Sequence, residues 1–117
     1  MADTDGDADL EYPSVDRTPS YELHEADARD TPLEDDSVDL VVTSPPYFQK
    51  RDYDVEGQIG QEDSVGEFVE VLIEGMREWE RVLKPSGSVL LNIGDTYEKR
   101  SLAGVPWKFA EAAREEG

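Results

Sequence analysis

The sequence has no cysteine, only 11 basic residues and no long hydrophobic run. Without cysteine the chain can form no disulfide framework and offers no thiol nucleophile. No apolar stretch approaches the ~20 residues of a membrane helix, and the first five residues, Met1 to Asp5, lack the basic and apolar character of a signal peptide. These absences predict a soluble, cytoplasmic chain with no membrane partner.

The charge balance is strongly acidic, with 29 acidic residues and a formal net charge of -18. Repulsion between these charges should destabilise the compact state at low salt, which predicts a halophilic protein. The same charge argues against non-specific nucleic-acid binding, because such binding depends on basic patches. Any contact with nucleic acid should therefore be local. His24 is the sole histidine and has no companions with metal-ligand spacing, so we expect no metal site.

The chain divides into a leader and one small domain. Residues 1–18 alternate Asp with small residues and predict an acidic, disordered leader, while residues 19–117 form the domain. Its residue pattern predicts a short strand at Tyr21–Ala26, a loop at Asp27–Asp30 and a turn-rich connection up to Ser37. The β-branched run Val38–Thr43 predicts a strand buried on both faces.

A helix and a second strand follow a long polar loop over residues 48–63. Ser64 and Glu67 form a capping box, and the next apolar residues have helical spacing. These residues are Val65, Phe68, Val69, Leu72, Met76, Trp79 and Leu83. Lys84–Gly87 predicts a turn, Ser88–Ile93 a buried strand, and Val105–Glu116 a helix with Pro106 in its first turn.

The order strand, loop, helix, strand predicts an α/β fold, namely a right-handed crossover in a partial doubly wound, Rossmann-like sheet. Ligands of such sheets bind at the carboxyl ends of the strands. Three segments should meet at that edge, namely Asp27–Asp30, Ser44–Tyr47 and Asn92–Tyr97.

Ser44-Pro45-Pro46-Tyr47 resembles the catalytic motif of the amino-directed DNA methyltransferases. The resemblance extends over roughly residues 21–117, because the motif follows a buried strand and precedes a helix ending in Leu83-Lys84-Pro85 and then the segment Leu91–Tyr97. It implies a methyltransferase sheet, S-adenosylmethionine as methyl donor, double-stranded DNA as partner and use within a restriction-modification system. Taken alone, the tetrapeptide could also be an ordinary strand-terminating turn.

The chemistry of the motif follows from the weak nucleophilicity of an exocyclic base amine. The Ser44 hydroxyl and the Pro45 carbonyl can accept its hydrogens and draw out its lone pair, while the two prolines, Pro45 and Pro46, keep the carbonyls rigid. Tyr47 offers a face on which a flipped base can stack. These four residues are therefore the predicted catalytic set.

The resemblance also implies binding residues. Asp27, Asn92 and Asp95 correspond to cofactor-binding positions, although Asp27 could equally be a solvated loop aspartate and Gly94-Asp95 a simple turn. Lys50 and Arg51 form a basic pair after the motif that could meet a DNA phosphate or simply lie on the surface.

The predicted product is 4-methylcytosine in DNA, with 6-methyladenine as the alternative. The absence of cysteine excludes carbon-5 methylation, which needs a thiolate, and Ser at position 44 favours cytosine in the resembled family. The family's glycine-rich Phe-x-Gly-x-Gly turn does not occur in these residues. We therefore expect the amino-terminal portion of a catalytic domain, completed by a carboxyl-terminal segment or chain; the alternative is an inactive remnant or binding module.

Overall fold

A computed structural model describes residues 18–49, 54 and 56–117. Its elements in chain order are β1 Val38–Thr43, α1 Val65–Val82, β2 Leu83–Leu91, β3 Tyr97–Glu98, β4 Ser101–Leu102 and α2 Val105–Glu116. The predicted leader lies almost wholly outside the described residues, as does the basic pair Lys50 and Arg51.

The central unit is a parallel strand pair connected through a helix. β1 and β2 pair in parallel, with Leu40 opposite Ser88 and Thr43 opposite Leu91, and α1 joins them along the chain. This confirms a mixed α/β arrangement with a small parallel sheet. The larger doubly wound sheet stays a prediction, because the described part of the chain supplies two parallel strands to it.

The start of β2 differs from the prediction. β2 begins at Leu83, directly after α1, so the turn predicted at Lys84–Gly87 is wrong as a separate element. The residues of the predicted turn lie in β2 instead. In the register of the two strands, Val38 pairs with Leu83, and the next aligned pair is Leu40 with Ser88. The extra residues on β2 form an irregularity in the ladder, so the backbone accommodates Pro85 without leaving the strand.

Helix α1 begins as the capping residues predict. The Ser64 hydroxyl accepts a hydrogen bond of 3.1 Å from the backbone N–H of Glu67, which satisfies one of the free donors of the first turn. The apolar side of the helix then forms most of the core, whose buried members are Phe48, Val65, Phe68, Val69, Leu72, Ile73, Trp79, Ala103, Val105 and Phe109. The predicted helical core is confirmed for Val65, Phe68, Val69, Leu72 and Trp79, whereas Met76 is partly buried and Leu83 belongs to β2.

Three strand predictions are wrong. The buried strand predicted at Ser88–Ile93 ends at Leu91 and is not buried, since Val89 and Leu90 are 37% and 59% exposed. Tyr21–Ala26 forms no strand, and Tyr21 and Leu23 are 84% and 88% exposed, because the segment has no neighbouring strand to pair with in the described chain. β1 is also not buried on both faces. Val41 packs against the core, but Val42, which points to the opposite face, is 70% exposed, since α1 covers one side of the sheet only.

The last third of the described chain holds a small hairpin and a helix. β3 and β4 pair antiparallel, and the two residues between them, Lys99 and Arg100, both have left-handed backbone angles, with φ of 52° and 69°. Neither is a usual residue for such a turn, so the hairpin could not be read from sequence. α2 confirms the predicted helix, with Pro106 in its first turn. No helix among the described ranges is long and apolar enough to cross a membrane.

Candidate active site

The carboxyl ends of β1 and β2 bring two predicted site residues together. The backbone N–H of Asn92 donates to the carbonyl of Thr43 at 2.9 Å, which continues the parallel ladder beyond β2. The Asn92 side-chain amide donates to the Ser44 hydroxyl oxygen over a longer distance of 3.4 Å. Both side chains are exposed. The predicted meeting is therefore confirmed for the ends of β1 and β2, while the roles of the two residues stay predictions. The strand expected to bring Asp27–Asp30 to the same edge does not form.

A depression of about 480 Å³ opens beside this pair. Its lining residues are Val42, Thr43, Ser44, Leu90, Leu91 and Asn92. The walls are mainly aliphatic, and the polar groups of Ser44 and Asn92 stand at the strand ends. An apolar surface with a few directed polar groups suits the ring of a planar ligand whose edge carries hydrogen-bond donors.

The ring of Tyr47 lies against the second strand end. A Cβ atom built on Gly94 would come 2.5 Å from Cε2 of the Tyr47 ring and 2.8 Å from its Cζ, closer than carbon atoms can approach. The absence of a side chain at Gly94 therefore provides the space for this ring. This function of Gly94 was not predicted, although a glycine beside a predicted site is the usual sign of a close approach.

The residue after the motif attaches it to the core. Phe48 is 4% exposed, and its ring centroid lies 5.6 Å from that of Phe68, which is fully buried in α1. Aromatic pairs at this separation contribute attraction beyond that of their buried area. Phe48 was predicted to lie in a polar loop, and this anchor was not predicted; the signal for it is a second aromatic residue directly after Tyr47.

The loop after the motif returns to it through backbone and carboxylate contacts. The backbone N–H of Gln49 donates to the carbonyl of Gly60 at 2.6 Å, and the Gln49 side chain donates to the carbonyl of Glu62 at 3.0 Å. The Glu62 carboxylate in turn accepts the backbone N–H of Gly60 at 2.8 and 2.9 Å. The two described ends of this loop are therefore hydrogen-bonded to each other. They lie beside Pro46, whose Cβ would be 3.1 Å from a Cβ built on Gly60.

Asp27 lies in the predicted loop and is paired with Arg29. Its carboxylate accepts from Nε and Nη2 of Arg29 at 2.9 and 2.7 Å and from the backbone N–H of Arg29 at 2.8 Å. These hydrogen bonds, above all those of the guanidinium, lower the pKa of Asp27 to about 2. Arg29 also lies 3.6 Å from Glu74 in the middle of α1. A contact between Asp27 and a cofactor stays a prediction.

The Asp95 side chain is hydrogen-bonded to the polypeptide backbone. Its carboxylate accepts hydrogen bonds from the backbone N–H groups of Thr96, Gly104 and Val105. Of the three residues assigned to the cofactor by resemblance, Asn92 is thus the one that lies at the depression beside Ser44. A contact between Asn92 and a cofactor stays a prediction.

Comparison with known proteins identifies the family. A family model described as DNA methylase, covering N6 and N4 methyltransferases, matches residues 38–116. The chain is 37% identical to the type II methyltransferase M.SfiI of Streptomyces fimbriatus over 85% of its length. It is 34% identical to the type II methyltransferase M.SmaI of Serratia marcescens over 73% of its length. The chain belongs to the N6 and N4 DNA methyltransferase family.

The relatives are considerably longer than this chain. The matched part is 28% of M.SfiI and 39% of M.SmaI. A third relative, the type II methyltransferase M.MwoI of Methanothermobacter wolfeii, is 43% identical over 67% of this chain and 12% of its own length. No solved structure matches the chain. The chain therefore spans well under half the length of the curated relatives named here.

Proposed function

We propose that this chain carries the catalytic segment of a DNA methyltransferase that methylates the exocyclic N4 amine of a flipped cytosine, with S-adenosylmethionine supplying the methyl group. The observation that carries the proposal is the position of Ser44, which is exposed at the end of β1 beside Asn92 of the neighbouring strand end. As in the relatives named type II methyltransferases, the activity would belong to a restriction-modification system.

Ser44 and Pro45 supply the acceptors for the target amine. The amine is a poor nucleophile while its lone pair is delocalised into the ring, and hydrogen bonds to the Ser44 hydroxyl and the Pro45 carbonyl favour the tetrahedral nitrogen that attacks. The Asn92 amide donates to the Ser44 oxygen at 3.4 Å, and both residues line the depression. A proton displaced from the nitrogen can pass through the exposed hydroxyl to solvent.

Tyr47 and the depression position the base. The Tyr47 ring lies against Gly94, and we expect its other side to stack on a base withdrawn from the duplex. Val42 and Leu90 provide an aliphatic wall beside Ser44. This arrangement supports a proximity mechanism, in which the amine is aligned with the methyl donor rather than attacked by the protein.

Preference for cytosine rests on Ser44 by resemblance to the family. Both cytosine and adenine amines present two hydrogens, so a hydroxyl acceptor can serve either. Methylation at carbon-5 of cytosine is not expected, because it requires a cysteine thiolate and this sequence has none. The expected mark is therefore 4-methylcytosine.

Nucleoside mass spectrometry of DNA from a host that expresses the gene encoding this chain tests the proposal. We expect 4-methylcytosine, and we expect Ser44→Ala to lower it by about 100-fold, as for loss of one transition-state hydrogen bond. Ser88→Ala, in an exposed position of β2, is the matched control and should leave the mark unchanged. Finding 6-methyladenine alone would overturn the choice of cytosine, and finding no methylated amine would overturn the activity.

A further inference from the structure

The Asp95 carboxylate accepts hydrogen bonds from three backbone N–H groups. Oδ1 accepts the backbone N–H groups of Thr96 at 2.8 Å, Gly104 at 3.0 Å and Val105 at 3.2 Å, and Oδ2 accepts that of Gly104 at 3.0 Å. A carboxylate offers about four lone-pair sites. Three backbone N–H groups therefore occupy most of these sites: all three donate to Oδ1, and Oδ2 receives the Gly104 N–H that it shares with Oδ1.

These contacts close a loop at the start of α2. Gly104 precedes α2 in a left-handed conformation, with φ of 82°, and has no side chain to cap the helix. Asp95 supplies the missing acceptor from nine residues upstream, and its negative charge suits the amino-terminal end of the helix dipole. The N–H of Ala103 also donates to the carbonyl of Thr96 at 2.7 Å. The hairpin β3–β4 is thus closed at its base.

Gly94, immediately before Asp95, is the residue against which the Tyr47 ring lies. The place of Gly94 depends on two attachments, the ladder contact of Asn92 with Thr43 on one side and the Asp95 contacts on the other. We propose that Asp95 is a positioning residue, which fixes Gly94 beneath the Tyr47 ring by holding the loop to the start of α2, and that it is not a cofactor ligand. The inference deepens the proposed function, since it rests on Tyr47 stacking the target base.

The test separates the two attachments by NMR of the 117-residue chain, with hydrogen exchange and tyrosine ring signals as readouts. Asp95→Ala should speed exchange of the Gly104 and Val105 amides by about tenfold or more, because each loses a hydrogen bond to a charged acceptor. It should also shift the Tyr47 ring signals, which Tyr47→Phe assigns. Asp95→Asn, which keeps one acceptor oxygen, should restore part of the protection.

Gly94→Ala is the second variant, and it should shift the Tyr47 ring signals while the Gly104 and Val105 amides stay protected. Asp30→Asn, at an exposed aspartate in the Asp27–Asp30 loop, is the control and should change neither readout. Unchanged Tyr47 signals in Asp95→Ala, despite faster amide exchange, would overturn the proposal and leave Asp95 as a helix cap alone. Both readouts are independent of methylation, so they remain decisive even if the methyltransferase activity itself fails its test.

A kinetic comparison in the active protein gives a further readout. If Asp95 acts through Tyr47, Asp95→Asn should lower kcat for DNA methylation while the KM for S-adenosylmethionine stays within about twofold, because the cofactor's contacts are unchanged. A rise in that KM with kcat unchanged would instead mark Asp95 as a cofactor ligand and overturn the proposal.

Discussion

The two faces of the β1–β2 sheet have the same kind of side chains and different surroundings. On one face, Val41 and Leu91 pack against the core formed with α1. On the other, Leu40, Val42 and Leu90 are 48%, 70% and 59% exposed. The apolar character of a strand residue therefore does not tell which face of this sheet is covered.

The difference explains why the strand prediction succeeded and the burial prediction failed. A continuous apolar run is typical of strands that are buried on both sides in parallel sheets. The backbone of β1 follows that pattern over its full predicted length, Val38–Thr43. Burial, however, depends on what packs against each face, and among the described elements α1 packs against one face only.

Phe68→Ala should give the largest difference between the two faces. Phe68 is fully buried on the covered side, and its truncation should lower the free energy of unfolding by about 3–5 kcal/mol. Val42→Ala on the bare face is the matched control, with an expected change of about 0.5 kcal/mol or less. Urea denaturation followed by circular dichroism measures both. Equal losses in the two variants would show that the bare face is covered in solution.

Glu78→Gln should give an intermediate, pH-dependent effect on the covered side. The Glu78 carboxylate is 7% exposed and accepts from Nε of Arg81 at 2.6 Å and from the N–H and hydroxyl of Thr31 at 2.6 and 2.7 Å. The hydrogen bonds from Arg81, followed by those from Thr31, lower the pKa of Glu78 from 4.5 to about 2. A lowered folded-state pKa means stability that is present above pH 4.5 and lost as the pH falls toward 2.

The measurement is the free energy of unfolding between pH 7 and pH 2. Glu78→Gln should be less stable than the parent chain at pH 7, and the two stabilities should converge as the pH falls below about 4. Glu80→Gln removes the same charge from an exposed position of α1 and should keep the parent's acid dependence. A constant difference between parent and Glu78→Gln over the whole range would contradict the assignment.

Leu90→Ser should have the smallest effect on stability. Its effect on the exposed face of the sheet should still be measurable by dye binding. Because Leu90 is 59% exposed, we expect a loss of about 0.5 kcal/mol or less, together with weaker binding of an apolar fluorescent dye. Leu91→Ser, one residue along and packed against the core, should instead lower the unfolding free energy clearly. Undiminished dye fluorescence in Leu90→Ser would place the apolar surface elsewhere.

Local sequence signals predicted the elements that depend on local interactions. The Ser64 cap and helical spacing gave α1, Pro106 gave the start of α2, and the prolines of the motif gave the end of β1. The strand predicted at Tyr21–Ala26 was wrong, because a strand requires a partner strand. The β3–β4 hairpin was not predicted, because its turn residues are not typical of such turns.

For the candidate site too, the features that follow from a local rule were predicted, and those that depend on long-range packing were not. The rule that parallel strands end at one edge correctly placed Ser44 beside Asn92. The contact of Tyr47 with Gly94 and the burial of Phe48 were not predicted, because the glycine and the aromatic residue indicate a close approach without showing which distant segment packs there. The functional roles of Ser44, Asn92 and Asp27 remain predictions, and their tests are those of the proposed activity.

The pairing of Phe48 with Phe68 has a consequence for how such a protein can change over time. Since one ring of the pair follows the motif and the other belongs to α1, substitutions in the helix can tilt the Ser44–Tyr47 segment without touching it. Sequence drift at Phe68 would then be constrained by the position of the motif as well as by folding. Any attempt to graft the Ser44–Tyr47 motif onto another scaffold would have to carry an aromatic partner for Phe48 with it.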